Sequence, residues 1–284
     1  MILDGKKIAL KIEEKIKATL EIKNFNIQPC VAFILIGEDP ASLIYLNKKQ
    51  QACKRVGIKS CFIKLKKDIA EEELINEINI LNKNNLIDGI LIQLPLPKHL
   101  NEVKILQLIN PDKDVDGFHP INYGKILMED NSGFVSCTPL GIYTLLKEYG
   151  IEMRGKHTVI MGRSMIVGKP LAMLFMQKTK ANATVTVVHS ASNNIEDITK
   201  TADILIVAMV KPKSVKANMI KKGCVIVDVG INKVNGKIVG DVDFDSVVDK
   251  ASYITSVPGG IGPMTIASLL QNTLKSFLNK WKKK

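Results

Sequence analysis

Short continuous apolar runs, separated by stretches with helical spacing of apolar residues, recur along almost the whole chain. This alternation constrains the fold more than any other feature. Strands are read at 30–36, 89–94, 158–161, 184–188, 204–209, 224–229 and 253–257, most of them apolar throughout. Helical spacing occupies 8–22, 40–56, 71–81, 103–109, 139–149, 168–177 and 264–281, with a further short helix just before 204. A strand apolar on both faces must be covered on both faces, which is the property of parallel sheets packed between helices. Residues 59–65 alternate instead, as a strand with one solvated face does. Gly57 stops the second helix, and Glu71, Glu72 and Glu73 sit in the first turn of the third, where the macrodipole favours acid. The segment 111–136, rich in Asp, Gly and Asn, reads as a long loop and splits the alternation in two. The expectation is an α/β protein with two α/β domains flanking a cleft, the cleft being the default ligand site.

Charge and composition narrow the function. The net charge of +12 invites a nucleic-acid reading, but only Arg55, Arg154 and Arg163 are arginines among 40 basic residues. Base and phosphate readers favour the planar arginine fork. Dispersed lysines suit solvated helix faces and a field that attracts a small anionic substrate. Nucleic acid is therefore not an expected partner. The five cysteines show no C-x-x-C spacing and the four histidines no H-x-x-x-H pair, so neither a metal site nor a disulfide framework is expected. No apolar run reaches the roughly 18 residues of a membrane span, and residues 1–11 lack a signal-peptide pattern. The expectation is a soluble intracellular protein with no membrane partner.

Residues 159–170 join a strand to a helix, where a Rossmann domain places its phosphate loop. Gly162 permits close backbone approach, and the following helix N-terminus offers orphan amides to a pyrophosphate. The fit to G-x-G-x-x-G is imperfect, because Ser164 stands at the second glycine position and Gly168 falls one position late. A purely structural corner would look similar. The next strand ends Val188-His189-Ser190-Ala191, without the carboxylate that usually binds the ribose hydroxyl of NAD. Arg163 with Ser190 suits a 2′-phosphate, which favours NADP; a surface arginine and a capping serine are the alternative. The stretch 228–232 ends a strand at the same expected edge, where its backbone either contacts the nicotinamide or simply turns.

In the first half, Ser42, Tyr45 and Lys49 fall on one face of the second helix. A tyrosine and a lysine one turn apart can share protons, although an amphipathic helix with a solvated lysine has the same spacing. Gln93 lies at the C-terminal end of an apolar strand, where open α/β sheets place ligand contacts. The acidic stretch 112–118 lacks EF-hand spacing, and one of its carboxylates suits an amidine-like heterocycle edge. The stretch 257–265 is dense in Pro and Gly, which allows close backbone approach or a plain turn.

Together these segments resemble the bifunctional methylenetetrahydrofolate dehydrogenase/cyclohydrolase family. The matching stretches are Tyr45-x-x-x-Lys49, Asp88 to Pro97 with its Gln93-Leu94-Pro95-Leu96-Pro97 core, Pro111 to Phe118, Cys137-Thr138-Pro139, Gly162-Arg163-Ser164-x-Ile166-Val167-Gly168-x-Pro170, Asp228 to Asn232, and Pro258-Gly259-Gly260-x-Gly262-Pro263-Met264-Thr265. They occur in family order; Met165 departs from the polar residue often found there.

The resemblance implies a folate-binding catalytic domain, 1–140 plus 264–284, and a Rossmann-type NADP-binding domain, 141–263. It implies oxidation of 5,10-methylenetetrahydrofolate with NADP to the methenyl cation, then hydrolysis to 10-formyltetrahydrofolate. The implied catalytic set is Lys49, Tyr45, Gln93 and Asp116: Lys49 as acid/base, Gln93 orienting it, Tyr45 stacking and relaying, Asp116 pairing with the pterin. Pro258, Gly259 and Gly260 join Tyr45, Gln93 and Asp116 in binding folate. Thr138, Gly162, Arg163, Ser164, Ser190 and Ile231 bind the cofactor. A cytoplasmic homodimer acting on tetrahydrofolate derivatives is implied as well. A dehydrogenase lacking the hydrolase, a shikimate-type dehydrogenase and a non-enzymatic nucleic-acid or anionic-surface binder are the rival readings.

Overall fold

The computed structural model describes residues 1–23 and 25–282. The basic run at the C-terminus lies partly outside the described residues, at 283 and 284. In chain order the elements are β1 (Ile2–Leu3), α1 (Gly5–Lys23), β2 (Cys30–Ile36), α2 (Pro40–Val56), β3 (Lys59–Leu65), α3 (Glu71–Lys83), β4 (Gly89–Ile92), α4 (Glu102–Leu106), α5 (Pro120–Leu127) and α6 (Cys137–Glu148). There follow β5 (His157–Met161), α7 (Gly168–Met176), β6 (Thr184–Val188), α8 (Ile195–Lys200), β7 (Ile204–Val207), β8 (Val225–Asp228), β9 (Asn232–Val234), β10 (Lys237–Val239), α9 (Phe244–Val247), β11 (Tyr253–Thr255) and α10 (Ile261–Lys282). Among the described residues the strands form a six-stranded sheet in the order β1-β11-β8-β7-β5-β6, a three-stranded sheet β3-β2-β4, and the β9–β10 hairpin. Every pairing in the two larger sheets is parallel.

Local chemistry explains the boundaries. The Asp39 carboxylate accepts the Ser42 amide at 2.8 Å, Pro40 opens α2, and Gly57 closes it at φ 80°. Strands β4, β7 and β8 are buried at every residue, as their continuous apolar runs demand. β3 and β6 lie at sheet edges and are only partly covered, so the alternation read over 59–65 marks an edge strand.

The chain divides into two compact units. One comprises Met1–Ala9, Ile126–Glu129 and Thr138–Thr265; the other Leu10–Lys125, Asp130–Cys137 and Ile266–Lys284. The first nine residues fall with the six-stranded sheet because β1 adds to it beside β11, and the Met1 ammonium donates to the Ser252 carbonyl at 2.7 Å. In the other unit, Ala32, Ile34, Ile90 and Ile92 of the sheet pack with Leu74, Ile78 and Leu81 of α3 and with Ile105. Each of these large side chains contributes roughly 1.5–3 kcal/mol by leaving water.

Three expectations need correction. The segment 111–136 is not loop throughout, since α5 lies inside it. His119 caps that helix: Nδ1 accepts the Ile121 amide at 3.1 Å and its carbonyl accepts the Tyr123 amide at 3.1 Å. The last helix starts at Ile261 rather than 264 and absorbs the end of the Gly-rich stretch. The β9–β10 hairpin was not expected. It turns on Asn235 and Gly236, both at positive φ, 49° and 78°, as a two-residue primed turn requires.

Candidate active site

The buried face of α2 carries Ser42, Leu46, Lys49, Ala52, Cys53 and Val56, spaced as successive turns of one stripe. Lys49 is the one charged side chain in that stripe, and only 6% of it is exposed. Its Nζ donates to Gln93 Oε1 at 3.1 Å, and Gln93 Nε2 donates onward to the Leu94 carbonyl at 2.9 Å. Gln93 is placed by the sheet: its amide donates to the Ile34 carbonyl at 2.8 Å, extending the β2–β4 ladder one residue past β4. The ammonium also lies 5.1 Å from the centre of the half-buried Tyr45 ring, within cation–π range. Tyr45, Lys49 and Gln93 thus meet as expected, and the solvated-lysine alternative does not hold.

Asp116 joins them from the loop alongside β4. Ile90 donates to the Lys113 carbonyl at 2.8 Å, and Gly89 leaves room for Val115, whose Cγ1 would lie 2.7 Å from any Cβ there. The buried Asp114 carboxylate then sets the turn. It accepts the amides of Gly117, Phe118 and His119 at 3.1, 3.1 and 2.8 Å, and Asn122 Nδ2 at 2.8 Å. Gly117 adopts φ 75°, and a side chain there would strike the Ser136 amide nitrogen at 2.6 Å. Asn272 of α10 fastens the other side, its Nδ2 donating to the carbonyls of Val115 and Val135 at 2.9 Å each. The Cys137 thiol donates to the Val115 carbonyl at 3.3 Å. Asp114, Asn272 and Cys137 escaped the sequence reading as supports of this site. The available signal was Asn272 in a helix whose spacing marks it as packed, among Ser268, Thr273 and Ser276, which are buried as well; only the fold shows what Asn272 holds.

Burial sets the electrostatics. Desolvation pushes the Lys49 ammonium below its ordinary value, while the Asp116 carboxylate pulls it back up. Desolvation likewise raises the Asp116 carboxyl, and the Lys49 charge opposes it. A lysine with a lowered pKa is one that can serve as a base. In Asp116→Asn the influence that raises Lys49 is lost. An NMR titration with labelled lysine is expected to find Lys49 deprotonating below the ordinary lysine range in the wild type, and lower still in the variant. A shift upward would reverse this account of the site.

The cofactor-type residues lie in the unit with the six-stranded sheet. Met161 pairs with Val188 on one side and Val207 on the other, so β5 and β7 flank the point where the strand order reverses. Gly162 follows β5 at φ 119°, and a Cβ there would lie 2.3 Å from the Ala208 carbonyl oxygen. Gly168, the first residue of α7, is held so close that a Cβ would lie 2.1 Å from the Gly162 oxygen. Both glycines are therefore required by backbone contact. Ser164 does more than line the loop: its Oγ accepts the Val167 amide at 3.2 Å and so braces the turn that leads into α7. Arg163 and Ser190 are exposed, at the ends of neighbouring strands. The loop bearing Ser190 is braced by Ser192, whose Oγ accepts the His189 amide at 3.0 Å; Ser192, not Ser190, makes the local structural bond. Ile231 is exposed just beyond β8. Thr138 Oγ1 lies 3.0 Å from Thr265 Oγ1. Pro258 follows a cis peptide bond, Gly259 accepts the Lys6 amide at 3.0 Å, and Gly260 faces Gly5 so closely that a Cβ on Gly5 would lie 1.8 Å from the Gly260 oxygen. A glycine-only turn at the reversal point, a helix N-terminus beside it and an exposed arginine fit a dinucleotide with a 2′-phosphate.

Comparison with known proteins agrees with this chemistry. Residues 3–116 match the family model described as tetrahydrofolate dehydrogenase/cyclohydrolase, catalytic domain. Residues 136–281 match the NAD(P)-binding domain of the same description. The chain is 52% identical over 285 residues to the bifunctional protein FolD of Aquifex aeolicus, covering 99% of this chain and 96% of that protein. Among solved structures, it is similar to the bifunctional enzyme FolD, methylenetetrahydrofolate dehydrogenase/cyclohydrolase, of Campylobacter jejuni. That likeness has a TM-score of 0.95 and 48% identity, over 99% of each chain. The N5,N10-methylenetetrahydrofolate dehydrogenase-cyclohydrolase of Trypanosoma brucei, solved with NADP cofactor and inhibitor, gives a TM-score of 0.93 at 35% identity, over 99% of this chain and 98% of that one.

Proposed function

The chain belongs to the tetrahydrofolate dehydrogenase/cyclohydrolase family, and from that premise we propose how its own residues divide the work. It is a bifunctional enzyme: it oxidises 5,10-methylenetetrahydrofolate with NADP, then hydrolyses the methenyl product to 10-formyltetrahydrofolate. The observation that carries the assignment of roles is the buried Lys49 ammonium held by Gln93 Oε1 at 3.1 Å. Neutral Lys49 takes a proton from the water that attacks the methenyl carbon. The same proton returns to the ring nitrogen as its bond to that carbon breaks, and the hydroxyl proton left on the carbon departs to solvent as the formyl carbonyl forms, so cation plus water gives the formyl product plus one proton. A bound cation lowers the Lys49 pKa further than burial alone. Gln93 fixes the direction of Nζ, and the Tyr45 ring stacks on the aminobenzoyl group and helps relay the proton. The Asp116 carboxylate pairs with the pterin amino group and ring nitrogen through two hydrogen bonds. Backbone at Pro258, Gly259 and Gly260 contacts folate.

NADP supplies the hydride acceptor. Gly162, Ser164 and the start of α7 receive its pyrophosphate, Arg163 and Ser190 its 2′-phosphate, and Thr138 and Ile231 line the remainder. Assembly as a homodimer and residence in the cytoplasm complete the reading. The homodimer is supported by exposed Val234 and Ile238 on the β9–β10 hairpin, and no helix among the described residues is long and apolar enough to cross a membrane.

The test is an assay of 5,10-methylenetetrahydrofolate with NADP and NAD in parallel, following reduced nicotinamide and methenylfolate. NADP reduction without lasting methenyl accumulation supports both halves; accumulation points to a weak hydrolase and away from the Lys49 role. In the same assay Arg163→Ser is expected to lower kcat/KM with NADP by roughly tenfold to a hundredfold, the worth of one charge-assisted hydrogen-bonded contact. Activity with NAD should be nearly unchanged. Equal losses with both cofactors would remove Arg163 from the 2′-phosphate.

A further inference from the structure

Another buried carboxylate, outside every role assigned above, organises the segments that follow the central strands β7 and β8 of the six-stranded sheet. Asp241 lies just past β10 and has no exposed surface. Its Oδ2 accepts the amides of Met209 and Val210 at 2.7 and 2.9 Å, and its Oδ1 accepts the Lys211 amide at 2.7 Å. Three consecutive amides converging on one anion form a nest, which an extended strand cannot make. The convergence depends on Val210, which adopts φ 54°, a left-handed conformation that a β-branched residue rarely takes. The Val210 side chain is 77% exposed, so packing does not hold it there; the carboxylate does.

The same Oδ1 accepts Asn232 Nδ2 at 2.9 Å, which ties in the segment after β8 that carries Ile231. Asp241 is itself seated by Asp228, whose carboxylate accepts the amides of Gly230, Asp241 and Val242 at 3.0, 3.0 and 2.9 Å. Gly230 makes room for it, since a Cβ there would lie 2.3 Å from the Asp241 carboxyl carbon. The loop Asp241 holds begins at Ala208, whose carbonyl meets Gly162 across the reversal point between β5 and β7.

We propose that Asp241 is a positioning residue for the dinucleotide: without touching the cofactor, it presets both the 208–211 backbone and the 229–232 segment against which NADP lies. The inference rests on the NADP reading above. The loop is poised because the carboxylate replaces the solvent that would otherwise compete for its amides, so binding need not order it.

The test uses the full chain and titrates NADP by calorimetry in the absence of folate. Asp241→Asn keeps the shape but turns an amide group toward backbone donors. Val210→Pro breaks the nest from the surface: it removes one amide, forbids positive φ and leaves the buried carboxylate in place. Both variants are expected to raise the NADP Kd by tenfold or more. Hydrolysis of methenyltetrahydrofolate without NADP should stay within about twofold of wild type. Val210→Gly added to Asp241→Asn should recover part of the affinity, because glycine adopts positive φ freely. Wild-type affinity in both variants overturns the inference and leaves the NADP reading intact. Parallel loss of NADP affinity and NADP-free hydrolysis in Val210→Pro also overturns it, since that marks a general structural role. Failure of the wild type to bind NADP overturns both.

Discussion

Lys49→Met abolishes methenyltetrahydrofolate hydrolysis in the expected result, lowering the rate by about 10²–10⁴-fold, the range of a lost general acid/base. Methionine keeps the length and apolar stem of lysine, so the buried stripe of α2 between Leu46 and Ala52 stays filled. What disappears is the nitrogen that Gln93 Oε1 holds at 3.1 Å. Gln93 is only partly buried, so its freed oxygen can turn to water and the fold is spared an orphaned acceptor. Hydride transfer depends on positioning more than on proton transfer, so NADP reduction should survive with a much smaller loss. The expected signature is methenyl accumulation in an enzyme that still reduces NADP. Undiminished hydrolysis in Lys49→Met would end the assignment of Lys49 as the base.

Asp116→Ala is expected to lose both activities, through folate binding. Two charge-assisted hydrogen bonds from one carboxylate carry the pterin in this reading, and their removal should raise the folate KM by roughly 10²-fold or more. The loop itself should persist, because its turn is held by Asp114, Asn272 and Gly117 rather than by Asp116. The Kd for NADP alone should be unchanged, which separates lost folate binding from lost structure. An unchanged folate KM would contradict the role.

Much of this site was legible before any fold was known. Tyr45 and Lys49 share a helix face by spacing alone, and Gln93 ends an apolar run, so a strand end and a helix face could be drawn toward each other. Less was legible wherever a side chain works on backbone far away in sequence. Asn272 is 157 residues from Val115, whose carbonyl it holds. Asp241 is 30 to 32 residues from the three amides it gathers. No local pattern encodes such pairings, because a carboxylate or amide at a buried position signals only that it must be satisfied, not by which partner.

The same division runs through the fold. Continuous apolar strands between amphipathic helices, bounded by Asp39, Pro40 and Gly57 and by the acidic first turn of α3, are local consequences of burial, capping and backbone freedom. The sequence by itself therefore determined the parallel α/β class, most of the helices and the residue types that the fold gathers around Lys49. Tertiary structure alone decided that β1 joins β11, that 126–129 leave the segment around them, and that α5 forms inside a polar stretch capped by His119. It alone decided the state of Lys49 as well. A lysine on an exposed helix face and one in a dry stripe beside a carboxylate look alike in sequence, and only burial, which many distant residues supply together, lowers the cost of giving up the proton.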